Sequence, residues 1–324
     1  MKAFLTGASG FIGTHLAGEL LRRNWKVGVL IHKRDLPFPR RFQIFHGDIR
    51  DAEALKGILE GTDVLFHLAA ALGASRIGEK EFFRINTGGT ENVLKAAREA
   101  GVRRIIHFSS AGVLGSIKEN RAVEEDYPPS PQDVYDETKL EAERIALSHV
   151  RQGSDVVVVR PGWAYGPGDR RTFKLIQAIA SRRFALLTRG TARQTPVYID
   201  DLIQGVLLCA ERGGKGETYH LAGGEVISVR EIVELIAGAA GVRFPYFPLP
   251  ILPLKAAAFI LEKAFGLMNK ESPLTRGKLA FFIHPKPLSI RKAVSELGFS
   301  PQIDLEGGMY RTVEWYRKNG WLRT

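Results

Sequence analysis

The octapeptide Thr6-Gly7-Ala8-Ser9-Gly10-Phe11-Ile12-Gly13 narrows the possible folds of this chain more than any other feature. It follows an apolar run at 2–5 and opens an amphipathic pattern over 12–23. Glycines at this spacing let a strand turn tightly into a helix, admit a pyrophosphate close to the amides, and pack helix on strand. The helix start adds free N–H groups and a partial positive charge. A bare glycine triplet is a weak signal, but the strand-turn-helix setting makes it specific. Gly7, Gly10, Phe11, Ile12 and Gly13 are therefore candidate contacts to a dinucleotide, the alternative being a purely structural turn.

The pattern that follows alternates short apolar runs with helical ones. Strands are expected at 27–31, 42–45, 64–68, 104–109 and 156–160, and helices at 82–100 and 134–150. The Gly88-Gly89 pair interrupts the middle of the first of these helices. Four consecutive valines, 156–159, suit a strand covered on both faces. This order predicts an α/β fold, a doubly wound parallel (Rossmann) sheet with its ligand crevice at the C-terminal strand ends. Beyond Pro161, prolines and glycines increase. A strand at 217–221 and a helix at 229–240 precede four prolines within 244–253 and a very apolar helix at 254–267. Residues 1–168, rejoined by about 197–223, are expected to form the dinucleotide-binding domain. Residues 169–196 and 224–324 would build a smaller, mainly helical substrate domain.

Bulk properties limit the partners. The net charge is +11, from 46 basic and 35 acidic residues, but the basic residues are scattered. With no basic helix bearing interleaved aromatics and no zinc spacing, neither nucleic acid nor a metal is expected. Cys209 is the single cysteine, so no intrachain disulfide forms; its neighbours Leu207, Leu208 and Ala210 suggest a buried helix face. The N-terminus lacks the long apolar stretch of a signal peptide, and no run reaches transmembrane length, so a cytoplasmic location is expected.

The end of the second strand bears on the choice of dinucleotide. A ribose 2′-hydroxyl calls for a carboxylate there, and a 2′-phosphate for cations. The chain reads Ile31-His32-Lys33-Arg34, with no acid before Asp35. His32, Lys33 and Arg34 are the candidate contacts, which favours NADP over NAD; solvated loop cations are the plain alternative.

Further pieces follow in a fixed order: Gly47-Asp48, His67-Leu68-Ala69-Ala70, Asn86 with Gly89-Thr90-Glu91-Asn92-Val93-Leu94, and Phe108-Ser109-Ser110. Then come Tyr135-Asp136-Glu137-Thr138-Lys139, Arg160-Pro161-Gly162 and Asp200-Asp201. Together they resemble the extended short-chain dehydrogenase/reductase family, also called the epimerase/dehydratases, over nearly the whole chain. Tyr135 and Lys139 stand four apart, on one face of a helix. A free tyrosine titrates near pH 10, and lowering that by ~2–3 units needs roughly 3–4 kcal/mol, which a nearby ammonium can supply. The resemblance implies that Tyr135, Lys139 and Ser110 are catalytic and that Tyr135 and Lys139 also meet the cofactor. Ser109 is the rival serine. The family's serine lies three before the valine of a Val-Tyr-Gly triplet, here Val113-Leu114-Gly115, which points to Ser110. Leu114 in place of tyrosine would leave a more apolar substrate side. The resemblance also places Asp48 at the adenine with Ile49 beside it. Leu68, Ala69 and Ala70 would lie along the dinucleotide, and Pro161 at the nicotinamide.

Within the family, dehydratases carry Asp-Glu after the serine or threonine, where this chain has Ala111-Gly112. Sugar-nucleotide members commonly place an arginine seven before the second aspartate. Gln194 holds that position, with Arg193 adjacent. The greasy stretch 248–267 is similar to the 3β-hydroxysteroid dehydrogenase and dihydroflavonol reductase branch. It reads as a lid over an apolar substrate, as core or dimer packing, or as a peripheral membrane contact through 249–267. The expected activity is hydride transfer between NADP(H) and a secondary alcohol or ketone on an apolar molecule, by a homodimer. A nucleotide-sugar epimerase is the alternative, and a non-catalytic dinucleotide-sensing scaffold the alternative of another class.

Overall fold

The computed structural model describes residues 1–322 except 34–35, 37–38, 73–76, 269–271, 273 and 275. Six strands alternate with helices in the first half: β1 (Lys2–Thr6), β2 (Lys26–Ile31), β3 (Gln43–His46), β4 (Val64–His67), β5 (Arg104–Phe108) and β6 (Val156–Pro161). Between them run α1 (Phe11–Arg22), α2 (Glu79–Phe83), α3 (Gly89–Glu99) and α4 (Val134–Arg151). Short strands β7 (Trp163–Tyr165), β8 (Arg193–Gln194) and β9 (Pro196–Tyr198) flank α5 (Arg170–Ala180). After α6 (Ile199–Arg212), β10 (Thr218–Leu221) rejoins the main sheet beside β6. The chain ends with β11 (Ile227–Ser228), α7 (Val229–Ala240), α8 (Ile251–Leu267), α9 (Arg276–Ile283) and α10 (Leu305–Lys318).

The main sheet has seven parallel strands in the order β10-β6-β5-β4-β1-β2-β3. Strand order reverses at β1, between β2 and β4, and a crevice opens there at the C-terminal ends. Alternation along each strand feeds two cores. Leu5, Ile106, Val157 and Val159 pack with α1 and α6, while Phe4, Leu65, Ile105 and Val158 pack with α3 and α4. Cys209 is buried on α6, as its neighbours suggest.

The helix expected over 82–100 is built in three parts, since a π turn at Arg84–Gly88 joins α2 to α3. A Cβ on Gly89 would stand 2.6 Å from Ile49, so the helix packs tightly against the segment after β3 at that point. Thr90 Oγ1 donates to the Asn86 carbonyl at 2.6 Å and supplies a partner inside the widened turn. The helix expected from 254 starts earlier, at Ile251, with Pro253 in its first turn, where a missing N–H costs nothing. Among the described residues no helix is long and apolar enough to cross a membrane.

Candidate active site

The glycine turn is held by close backbone approaches. Gly7 has φ +75°, and a Cβ there would lie 2.7 Å from the Ala69 nitrogen. One on Gly13 would lie 2.3 Å from the Gly7 carbonyl oxygen. Gly10, at the start of α1, has no side chain to cap the first-turn amides, which remain available to an anion. A cleft of about 750 Å³ opens above this turn. It is lined by Gly7, Gly10, Phe11, Ile12 and Gly13, then His32, Lys33, Asp48, Ile49, Leu68, Ala69 and Ala70, and finally Ser110, Tyr135, Lys139 and Pro161. Every site residue expected from the sequence is thus brought to one cleft, apart from Arg34, which lies outside the described residues. Its shape and uncapped amides fit a dinucleotide.

At the β2–β3 end, Asp48 accepts from the Arg50 side chain (Nε, 2.9 Å) and backbone N–H (2.9 Å), and lies 3.3 Å from His32 Nε2. Hydrogen bonding from Arg50 holds the Asp48 carboxyl down at about 2. Arg50 also pairs with Glu81 on α2 and lines the cleft. Sequence reasoning missed it; the only available signal was its place two residues after Asp48.

Asp133 caps α4 by accepting from the Asp136 N–H, which sets Tyr135 in the first turn and Lys139 one turn on. Lys139 is only 4% exposed and donates to the Phe108 carbonyl at the end of β5. Burial brings its ammonium down to about 8. Tyr135 departs from expectation, because its phenol is pushed up to about 12, by burial first and then by the Asp136 carboxylate. Arg171 and a hydrogen bond with Ser110 pull the other way without prevailing. The shared helix face is there, but Lys139 reaches down to the end of β5. Ser110 Oγ accepts from the Gly112 N–H at 3.0 Å, while the Ser109 hydroxyl, also in the cleft wall, is buried without a partner.

Buried polar contacts hold this floor. Thr6 Oγ1 meets His67 Nδ1 at 2.7 Å, and His67 Nε2 meets Thr90 Oγ1 at 2.9 Å. Because Thr90 spends its proton on Asn86, His67 donates from Nε2 and accepts at Nδ1. Asn86 in turn accepts from the Ala71 N–H (2.6 Å) and donates to Thr138 Oγ1 (2.9 Å).

The other wall comes from the C-terminal half: Trp163, Arg171, Gln194, Phe281 and Lys286. Trp163 and Phe281 meet edge-on, with ring centroids 4.9 Å apart. Gln194 points inward and donates to the carbonyls of Phe281 and His284, while Arg193 is exposed and donates to Asn120. Strand alternation in β8 thus turns the glutamine, not the arginine, toward the cleft. Leu114 does not face the substrate side either; it is fully buried with Val113, Ile117, Val123 and Leu288. None of the described residues of 249–267 lines the cleft, and α9 supplies Phe281 to it instead. Lys286 Nζ lies 3.8 Å from Asp136, whose carboxyl burial raises to about 6. Neither Arg171 nor Lys286 was singled out in the sequence.

The model of the NAD dependent epimerase/dehydratase family matches residues 3–222. The chain belongs to that family. Among the relatives of this family member is a 4-hydroxy-2-methyl-3-oxo-4-farnesyl-3,4-dihydroquinoline-1-oxide ketoreductase of Stigmatella aurantiaca, 31% identical, with 95% of each chain covered. A 3β-hydroxysteroid dehydrogenase/Δ5→4-isomerase of Mycobacterium tuberculosis is 32% identical over 97% of this chain and 90% of its own. The structure of the dTDP-glucose 4,6-dehydratase DesIV from Streptomyces venezuelae with NAD bound superposes with a TM-score of 0.80. It is 28% identical, and 99% of each chain is covered. The family is one of NAD(P)-dependent dehydrogenases, reductases and epimerases.

This member lacks the dehydratases' Asp-Glu pair, and the consequence is steric as well as chemical. A Cβ on Gly112 would lie 1.8 Å from Asp136 Oδ1, so the missing side chain leaves the space that the α4 carboxyl fills.

Proposed function

We propose that this protein is an NADP(H)-dependent oxidoreductase that exchanges a hydride with a secondary alcohol or ketone on an apolar, steroid-like, aryl or polyketide-like molecule. The observation that carries this reading is the convergence of Ser110, Tyr135 and Lys139 on the cleft opened by the glycine turn, with Trp163 and Phe281 in the same cleft. The nicotinamide, when bound, supplies or accepts the hydride. Tyr135 gives a proton to the carbonyl oxygen during reduction and removes it during oxidation. Ser110 hydrogen-bonds that oxygen, and Lys139 holds the ribose and favours the phenolate once the cofactor has excluded water. Relatives that reduce a quinoline ketone or oxidise a steroid support the substrate class. Lys33 at the β2 end of the cleft, with His32 beside it, supports a 2′-phosphate.

Tyr135→Phe is expected to lower turnover by roughly 10²-fold or more while leaving NADPH affinity within twofold. Unchanged turnover removes Tyr135 from the mechanism, and NADH binding tighter than NADPH ends the cofactor assignment. A second reading, nucleotide-sugar epimerisation, draws on Arg171 and Lys286, two cations able to meet a diphosphate. A thermal-shift panel with NADPH present separates the two. Stabilisation by UDP- or dTDP-sugars alone favours the epimerase; stabilisation by steroids or aryl ketones favours the reductase. We take the working unit to be a homodimer formed beside α4, and a sedimentation mass near the 35.9 kDa of one chain would refute that.

A further inference from the structure

Eleven large apolar side chains stand out as exposed among the described residues, and seven of them fall between Phe247 and Met268. Among the described residues of α8 only Leu254 and Ala258 are buried. Leu252 is 75% exposed and Ile260 63%, with Ile251 and Phe259 beside them. The segment just before the helix adds Phe247 and Leu249. A contiguous apolar surface of this kind marks a site of contact.

Its charges indicate with what. Residues 241–268 carry Arg243, Lys255 and Lys263 against a single acid, Glu262. Lys255 and Lys263 are exposed on α8 itself, and Arg243 borders a surface depression together with Arg182. Two copies meeting through this face would set lysines against lysines with almost no acid to answer them. An anionic lipid surface answers them directly, and takes up the apolar side chains between. We propose that the Phe247–Met268 segment, centred on α8, docks this protein onto the surface of an anionic bilayer, lying in the interface rather than spanning it.

The position has a consequence for the site. α8 packs on α9, which contributes Phe281 to the cleft. A bilayer-dissolved substrate would therefore be delivered beside the substrate wall; this consequence rests on the apolar-substrate reading, whereas docking does not.

The test is flotation of the full chain with vesicles of phosphatidylcholine alone or with about one-third phosphatidylglycerol. Wild type is expected to float at least ~fivefold more with the anionic vesicles. Leu252→Glu/Ile260→Glu should cut that roughly tenfold while melting temperature and turnover of a water-soluble aryl ketone stay unchanged. Should that variant misfold, Lys255→Glu/Lys263→Glu serves in its place. No flotation with either vesicle, equal flotation with both, or full flotation of the folded variant overturns the proposal. So does a wild-type protein that never floats but whose variant falls from dimer to monomer, which would give the face to a second copy. Failure of flotation with ketone reduction intact would leave the proposed activity standing.

Discussion

Two charges of opposite sign act on the Tyr135 phenol. The Asp136 carboxylate raises its phenol and the Arg171 guanidinium lowers it. In the proposed mechanism the deprotonated phenol is the base for alcohol oxidation, so kcat/KM in that direction should climb with pH as the tyrosine of the cofactor complex ionises. Asp136→Asn is expected to move the climb to lower pH and Arg171→Met to higher pH, as read from kcat/KM profiles with a saturating cofactor. Shifts in the same direction for both would refute the electrostatic account. Asp136 also carries a stability signature. Its folded value of about 6 lies above the ordinary 3.8, so its contribution is fully present below 3.8 and is lost as pH rises through 6. Asp136→Asn, uncharged throughout, should raise stability by about 2–3 kcal/mol at pH 8 and change little at pH 4. Urea unfolding at the two pH values checks this.

Among the elements, the π turn between α2 and α3 has the clearest task. It places Asn86, 1% exposed, where one side chain ties the backbone of Ala71 to Thr138 on α4. The neighbouring residues 68–70 line the cleft beside the glycine turn. Asn86→Ala leaves buried partners unmet and should cost about 2–3 kcal/mol in urea unfolding. Because the loosened segment lines the end of the cleft proposed for the dinucleotide, KM for the cofactor should rise several-fold more than kcat falls. A fall in kcat alone would contradict that assignment. Asp201 does comparable work at the start of α6, its two oxygens accepting from the N–H groups of Gln302 and Ile303. The Asp-Asp pair noted in the sequence is, for its second member, a clamp on the C-terminal segment.

At the scale of the molecule, a buried network joins α4 to the sheet and to the C-terminal half. Glu143 on α4 forms an ion pair with Arg160 on β6, at 2.6 and 3.0 Å, both side chains less than a tenth exposed. Arg160 also donates to the Glu125 carbonyl, and the Glu125 carboxylate accepts from the His220 N–H in β10. Val123, close by, pairs its backbone with Pro287 and Ser289, beside Lys286. Glu143→Gln strands the buried guanidinium and should cost about 3–5 kcal/mol in urea unfolding. The double change Glu143→Leu/Arg160→Met should cost less than the single one, since it removes both charges. A double variant less stable than the single would show that the pair stabilises by more than mutual compensation.

The glycine turn, the alternation of strands and helices and the place of Ser110, Tyr135 and Lys139 were all legible in the sequence, because each is written in local spacing. Periods of two and near 3.6 report which face of an element is buried, and glycine reports where backbone must approach backbone. What lay beyond reach was set by residues far apart in the chain. Asp136 meets Lys286 across 150 positions, Arg171 and Asp136 pull the Tyr135 phenol in opposite directions, and Leu114 turns into the core rather than toward substrate. Protonation, orientation and surface exposure depend on which groups finally share a volume. Only the folded chain decides that.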